Sequence, residues 1–154
     1  MQIRNSTKAL IVRDGHLLAI KKVDKEGVYY LMIGGGQEHG ETFHETLKRE
    51  CMEEAGVKIE PGDLVFVREY IGKNHEHAAF DGGVHQIEYM FACELLTEPD
   101  ITKATQQDNG QIGVEWLPLK QIEEYRLYPQ AMRRVLKTHY LQHHKTVTYL
   151  GDIN

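Results

Sequence analysis

Glu50, Glu53 and Glu54 stand at i, i+3 and i+4 within a stretch of helical patterning, so their carboxylates project toward one side of one helix. Without counterions, like charges at this spacing destabilise a helix by about 0.2–0.5 kcal/mol per pair. A hard divalent cation removes that conflict. Mg²⁺ takes carboxylate oxygens and keeps waters and substrate phosphate oxygens in its octahedral shell, so the cluster suits phosphate chemistry. Glu41 adds a fourth carboxylate just ahead of the helix, and Gly34, Gly35 and Gly36 lie upstream. Glycines leading toward a helix N-terminus let backbone groups approach an anionic phosphate closely. The plain alternative is a solvated glutamate-rich face, with Lys48 and Arg49 making weak surface pairs.

Such residues need a scaffold, and the surrounding pattern supplies one. Thr7 to Arg13 and Leu17 to Lys22 are β-favouring runs joined at Asp14-Gly15, a dipeptide suited to a tight hairpin. Val28 to Ile33 forms a third run, expected to end at the triple glycine. The clearest helix runs from about Phe43 to Ala55, with Thr42 as N-cap and Glu45 completing a capping box. Leu47, Cys51 and Ala55 recur at i+4 as an apolar stripe, and Gly56 stands where a left-handed residue stops a helix.

Leu64 to Ile71 and Gln86 to Leu96 read as further strands, separated by a loop from Gly72 to His85. Val114 to Leu117 is a short strand closed by Pro118. A short helix near Leu119 to Tyr125, a longer one from Pro129 to His143 and a polar tail from Lys145 to Asn154 complete the pattern. There is no repeat, low-complexity tract or linker, so a single domain over residues 1–154 is expected. The order of elements predicts an α+β fold, a mixed sheet flanked by helices rather than a regular βαβ array.

Residues 35 to 57 read GGQEHGETFHETLKRECMEEAGV. This run resembles the Nudix signature: glycine, five residues, glutamate, seven residues, arginine-glutamate, an apolar residue, any residue, two glutamates, any residue, glycine and an apolar residue. Gly35, Glu41, Arg49, Glu50, Cys51, Glu53, Glu54, Gly56 and Val57 fill every defined position. The flanking elements are also similar to that family's α/β/α sandwich. One departure lies upstream of the signature, where members often carry proline and this chain has Ile33.

The resemblance implies a Mg²⁺-dependent hydrolase, with Mn²⁺ able to substitute, that cleaves a diphosphate linkage between a nucleoside diphosphate and another group. ADP-ribose, other nucleotide sugars and nucleoside triphosphates are the candidate substrates. It further implies Glu50 and Glu54 as principal metal ligands, Glu53 in or beside the coordination sphere, and Glu41 as an additional ligand. The carbonyl of Gly34 or Gly35 would complete the sphere, Gly36 would join them in admitting phosphate, and Arg49 would hold a glutamate of the cluster in place. Such a cation polarises a phosphoryl oxygen and acidifies bound water, while a carboxylate accepts the proton. Asp108, in the loop before Trp116, and Glu53 stand level as that base. Asp108-Asn109-Gly110 is also strong turn chemistry in its own right.

The competing reading is a domain that binds a nucleotide as a sensor without turnover. Loss of catalysis would show as missing glutamates, and none is missing. Composition narrows the field further. A chain of 154 residues with 41% hydrophobic and 27% charged residues matches soluble globular proteins, which excludes disordered, fibrous and membrane-spanning classes. A net charge of -5 and a pI near 6.0 give no general attraction to polyanions. A small-molecule nucleotide carried with its cation is therefore the expected partner, rather than a nucleic-acid duplex or a membrane surface. Cys51 and Cys93 belong to no CxxC pair and read as reduced core thiols. With no signal-like N-terminus and no run approaching ~18 apolar residues, a cytoplasmic location is expected. Oligomeric state is left open, a homodimer included.

Tyr30 and Trp116 lie nearest the site in sequence and are candidates to stack on a nucleobase, although packing is the plainer role for them, as for Tyr29 and Phe80. His75-Glu76-His77 has no matching ligand pair at zinc spacing. His143 and His144 suit a helix C-terminal dipole or plain solvation.

Overall fold

β1 (Arg4–Leu10) runs into β2 (Val12–Arg13), which turns back at Asp14-Gly15 as β3 (His16–Asp24). Asp14 and Gly15 take φ of 50° and 73°, the left-handed pair that matches a two-residue turn to the twist of its strands. This is a computed structural model, and it describes residues 2–143 and 146–154.

β4 (Gly27–Gly36) changes partner along its length. Gly27 to Met32 pair antiparallel with β3, whereas Ile33 to Gly36 pair antiparallel with β1, in register from Ala9↔Ile33 to Ser6↔Gly36. The strand expected to stop at Ile33 therefore continues through all three glycines. The reason is steric. A Cβ at Gly34, where φ is 148°, would fall 2.0 Å from the Thr7 carbonyl oxygen, and one at Gly35 would fall 2.3 Å from Glu50 Oε1. Close approach of neighbouring groups to this strand requires residues without side chains.

α1 (Phe43–Ala55) has the expected bounds, and both halves of the Thr42–Glu45 capping box form. Gly56 closes it at φ 59°, ψ 38°, its N–H reaching the carbonyls of Cys51 and Met52. The stripe of Leu47, Cys51 and Ala55 packs against Ala9, Ile11, Leu18, Ile20 and Ile33 on one face of the sheet.

β5 (Ile59–Ile71) begins earlier than Leu64. The following segment holds a 3-10 turn over Gly72–Asn74 and the single-turn α2 (Ala78–Asp81). β6 (His85–Leu95) then pairs antiparallel with β5 and parallel with β1. β7 (Gln111–Pro118) pairs antiparallel with β3. In place of the helix expected near Leu119 to Tyr125 there is a 3-10 helix over Leu119–Glu124, followed by β8 (Leu127–Tyr128) beside β4. α3 (Ala131–Leu141) is shorter than Pro129 to His143, and His143 lies exposed beyond it at φ 50°. His144 lies outside the described residues.

α3 buries Met132 and Leu136 against Leu10, Met32, Phe66 and Met90 on the opposite face from α1, which makes the α/β/α layering. The tail read as polar contributes β9 (Tyr149–Asp152), parallel to β5 at the sheet edge. Strand order is β2-β3-β4-β1-β6-β5-β9, a mixed sheet as expected.

Gly56 sets how α1 leaves the sheet, since a Cβ there would lie 1.9 Å from the Asp100 carbonyl oxygen. Gly56→Ala is expected to lower stability by about 2 kcal/mol, joining the left-handed penalty to that clash. Urea unfolding measures this, and a midpoint equal to wild type would mean that the Asp100 segment yields freely.

Candidate active site

Arg49 sits on α1 with every N–H direction of its guanidinium used. Nε donates to Glu41 Oε1 at 2.6 Å and Nη2 to Glu41 Oε2 at 3.0 Å, the bidentate geometry that makes strong charge-assisted bonds. Nη2 also donates to the Gly36 carbonyl at 3.0 Å, and Nη1 to Glu50 Oε1 at 2.9 Å and Glu53 Oε2 at 3.2 Å. Glu41 gains Thr46 Oγ1 at 2.9 Å and the Glu38 N–H at 3.0 Å. The Arg49 hydrogen bond above all holds the Glu41 carboxyl down at about 2. Glu41 thus has its oxygens engaged by Arg49, Thr46 and Glu38.

Glu54 has the opposite environment. It is only 4% exposed. Burial pushes its carboxyl up to about 9; the charge of Lys8 opposes this, and contact with Glu50 and the charge of Asp108 add to it. Glu50 packs against Gly35, where only the missing Cβ leaves room for its carboxylate. Asp108 is brought to the same place by a strap, because the Gln106 N–H donates to Glu53 O at 2.9 Å and Gln111 Nε2 donates to Glu54 O at 2.6 Å. Glu50, Glu53, Arg49 and Asp108 line one cavity of about 360 Å³, and Gly36 lies on its wall. Arg4, Gln37, Glu38 and Gln106 also line it. Arg4 and Gln106 escaped sequence reasoning, since neither falls in a recognisable spacing and only the pairing of β1 and the loop's bond to α1 bring them here.

The donors fit a hard divalent cation in kind, all being carboxylate or carbonyl oxygens. Thr7, paired with Gly35 in the ladder, keeps its Oγ1 buried without a hydrogen-bond partner, so this side of the site is short of polar company. Among the described residues, no group of three or more His, Cys, Asp or Glu side chains converges as a finished cage. Arg49 Nη1 instead bridges Glu50 and Glu53, as a single positive charge between two carboxylates. Glu50 and Glu53 are carboxylates that could hold a cation, which would supply positive charge there beside Arg49. The Gly35 carbonyl accepts from Ser6 Oγ at 3.0 Å and that of Gly34 from Lys8 Nζ at 3.4 Å.

The two aromatic candidates lie elsewhere. Tyr30, 8% exposed, belongs to the α3-side core, its ring edge-on to Tyr125 and its hydroxyl donating to Glu115. Trp116 packs on the α1-side core with the Arg13 guanidinium 4.5 Å over its ring. Neither lines the carboxylate cavity. Aromatic side chains gather instead in a cleft of about 690 Å³ that includes Tyr29, Tyr70 and Tyr128. A smaller pocket of about 210 Å³, holding Lys8 and Met32, shares Leu31, Arg68, Gln86, Tyr128 and Asn154 with that cleft. His75 is spent on structure, bonded to Asp152 at 2.5 Å and stacked on Tyr70. Phe80 is exposed on α2.

Known proteins carry the same pattern. The NUDIX domain family matches residues 3–138. A nucleoside triphosphatase NudI from Salmonella heidelberg is 39% identical over 147 residues, covering 88% of this chain and all of the relative. A NUDIX hydrolase from Nitrosomonas europaea superposes with a TM-score of 0.71 at 18% identity, covering 95% of this chain and 98% of its own. An ADP-ribose pyrophosphatase from Streptococcus suis superposes with a TM-score of 0.66 at 17% identity, covering 98% and 100%. At these identities the two structures show likeness of fold, and fold does not fix substrate. The match across nearly the whole chain, with Glu50, Glu53 and Asp108 on one cavity beside Arg49, places this chain in the NUDIX domain family as a Nudix hydrolase.

Proposed function

We propose that this chain is a single-domain enzyme that hydrolyses the diphosphate linkage of nucleoside triphosphates with a divalent cation, Mg²⁺ in the first place and Mn²⁺ as a substitute. The carrying observation is the cavity that joins Glu50, Glu53 and Asp108 beside Arg49 and the Gly36 end of the glycine strand. The substrate class rests on the relative named a nucleoside triphosphatase, matched over its full length. Two buried free cysteines fit a reducing, cytoplasmic setting. Among the described residues no helix is long and apolar enough to cross a membrane.

Glu50, Glu53 and Glu54 would hold the cation, with the Gly35 carbonyl nearby. When bound, it supplies a polarised phosphoryl oxygen and an acidified water. Arg49 keeps the carboxylates aimed through its anchor on Glu41. Asp108 is the better placed base, because Glu53 Oε2 already accepts from Arg49, whereas the Asp108 side chain is 57% exposed and its one ion pair among the described residues is with Lys22 at 3.9 Å. In the step, water oxygen bonds to phosphorus, the bridging P–O bond breaks toward the leaving phosphate, and the water proton passes to an Asp108 carboxylate oxygen.

Release of phosphate-containing products, pyrophosphate and sugar phosphates included, from a panel of nucleoside triphosphates and nucleotide sugars, with Mg²⁺, tests this. Glu54→Gln is expected to cut turnover on the order of a hundredfold or more. Unchanged turnover in that variant would remove Glu54 from the site, whereas nucleotide binding by the wild type without any product would leave a binding domain rather than an enzyme. Asp108→Asn is expected to lower kcat by about 10² to 10⁴. If Glu53→Gln alone does so, the base is Glu53.

Glu54 also sets a pH dependence. Folded and metal-free it titrates near 9 against an ordinary 4.5, so between these values the folded state holds a proton that the unfolded state has lost. Stability then falls as pH rises through about 9. Thermal melts in chelator from pH 7 to 10 are expected to show a falling Tm, and Glu54→Gln is expected to flatten that slope. A slope of the same size in the variant would assign the effect to another group.

A further inference from the structure

Among the described residues, Arg4 is the one cation on the carboxylate cavity that no ion pair or side-chain hydrogen bond engages. Arg49, the other guanidinium there, is fully used by Glu41, Glu50, Glu53 and Gly36. Arg4 opens β1 at the rim, exposed to solvent. Its side chain nonetheless has a defined seat, because it lies flat over Gly36: a Cβ on that glycine would stand 2.5 Å from Nη2 and 2.7 Å from Nε. Gly36 is therefore sandwiched between two guanidiniums, Arg4 over its Cα and Arg49 on its carbonyl.

The two ends of the glycine strand differ in chemistry. At Gly34 the strand meets Lys8, whose pocket joins the cleft with Tyr29, Tyr70 and Tyr128 and can take an organic ring. At Gly36 the wall is polar throughout: Arg4, Gln37, Glu38, Gln106 and Asp108 offer no aromatic or apolar face to a second nucleoside. A substrate lying with its base toward the tyrosines thus ends beside Arg4 in whatever follows the scissile diphosphate. A terminal phosphate, densely charged and fork-matched to a guanidinium, suits that end.

Resting on the proposed nucleoside triphosphatase reading, we propose that Arg4 binds the terminal phosphate of the substrate and selects triphosphates over diphosphate-linked compounds that lack that group. The carboxylates around it would repel the same phosphate, so the arginine and the cation together decide whether it enters. Arg4 takes no part in bond making.

Binding separates this from catalysis. The α,β-imido forms of the four common nucleoside triphosphates and of the matching diphosphates are titrated calorimetrically with Mg²⁺ against wild type and Arg4→Gln. One charge-assisted contact predicts about a tenfold or larger loss of triphosphate affinity in Arg4→Gln, with diphosphate affinity within about twofold. Arg4→Lys is expected to recover part of the loss, and Gly36→Ala, which pushes the guanidinium off its seat, to lose affinity in the same direction. Equal loss for both ligand sets, no loss, or no triphosphate binding by the wild type would overturn the assignment. Hydrolysis of the natural triphosphates by wild type is read in parallel: selective binding without turnover would sink the enzymatic reading and leave Arg4 in place, whereas turnover with unchanged Arg4→Gln affinity would sink Arg4 alone.

Discussion

The guanidinium of Arg49 is the contact on which the site depends. Glutamates crowded within one helical turn repel one another when ionised, at a cost of about 0.2–0.5 kcal/mol per pair. Arg49 meets it locally, spreading one positive charge over Glu41, Glu50 and Glu53 while its remaining N–H fixes the Gly36 carbonyl. Helix, preceding loop and glycine strand are thereby tied through a single side chain. Lysine could not replace it, because an ammonium offers a point charge where five donors in a rigid fork are in use.

Glu54 shows what the tie leaves unsolved. Arg49 does not reach it, and burial keeps its carboxyl neutral over a wide pH range in the metal-free fold. Such a group costs the fold stability whenever it ionises, and only a ligand that favours the carboxylate reverses the sign. A cation held there, as proposed, would relieve that cost, and perturbed carboxylates of this kind cluster at functional sites.

What could be read from the chain follows the range of the forces involved. α1, its capping box and its left-handed stop are set by neighbours within a few residues, and Phe43 to Ala55 has the bounds that Thr42, Glu45 and Gly56 imply. The Asp14-Gly15 hairpin is local in the same way. Pairing at long range leaves weaker marks. β9 is a strand only because β5 offers an edge to it, and nothing in Tyr149 to Asp152 alternates strongly enough to announce this. Tyr30 stood close to the site in sequence, yet alternation along β4 turns it into the α3-side core. Spacing located Glu41 but not the Thr46 and Glu38 groups that bond it.

The glycines were legible as glycines but not as a strand, and the difference matters to the chemistry. A loop there would leave its carbonyls free to wander. Held in a ladder with β1, the backbone of Gly34 to Gly36 is as rigid as the core beneath it, and the absent side chains give way to Thr7 and Lys8 at the first position, Glu50 at the second and Arg4 at the third. Each omission admits a different neighbour. Replacing any one of the three by alanine would therefore disturb a different function: the ladder itself, the seat of the Glu50 carboxylate, or the rim guanidinium.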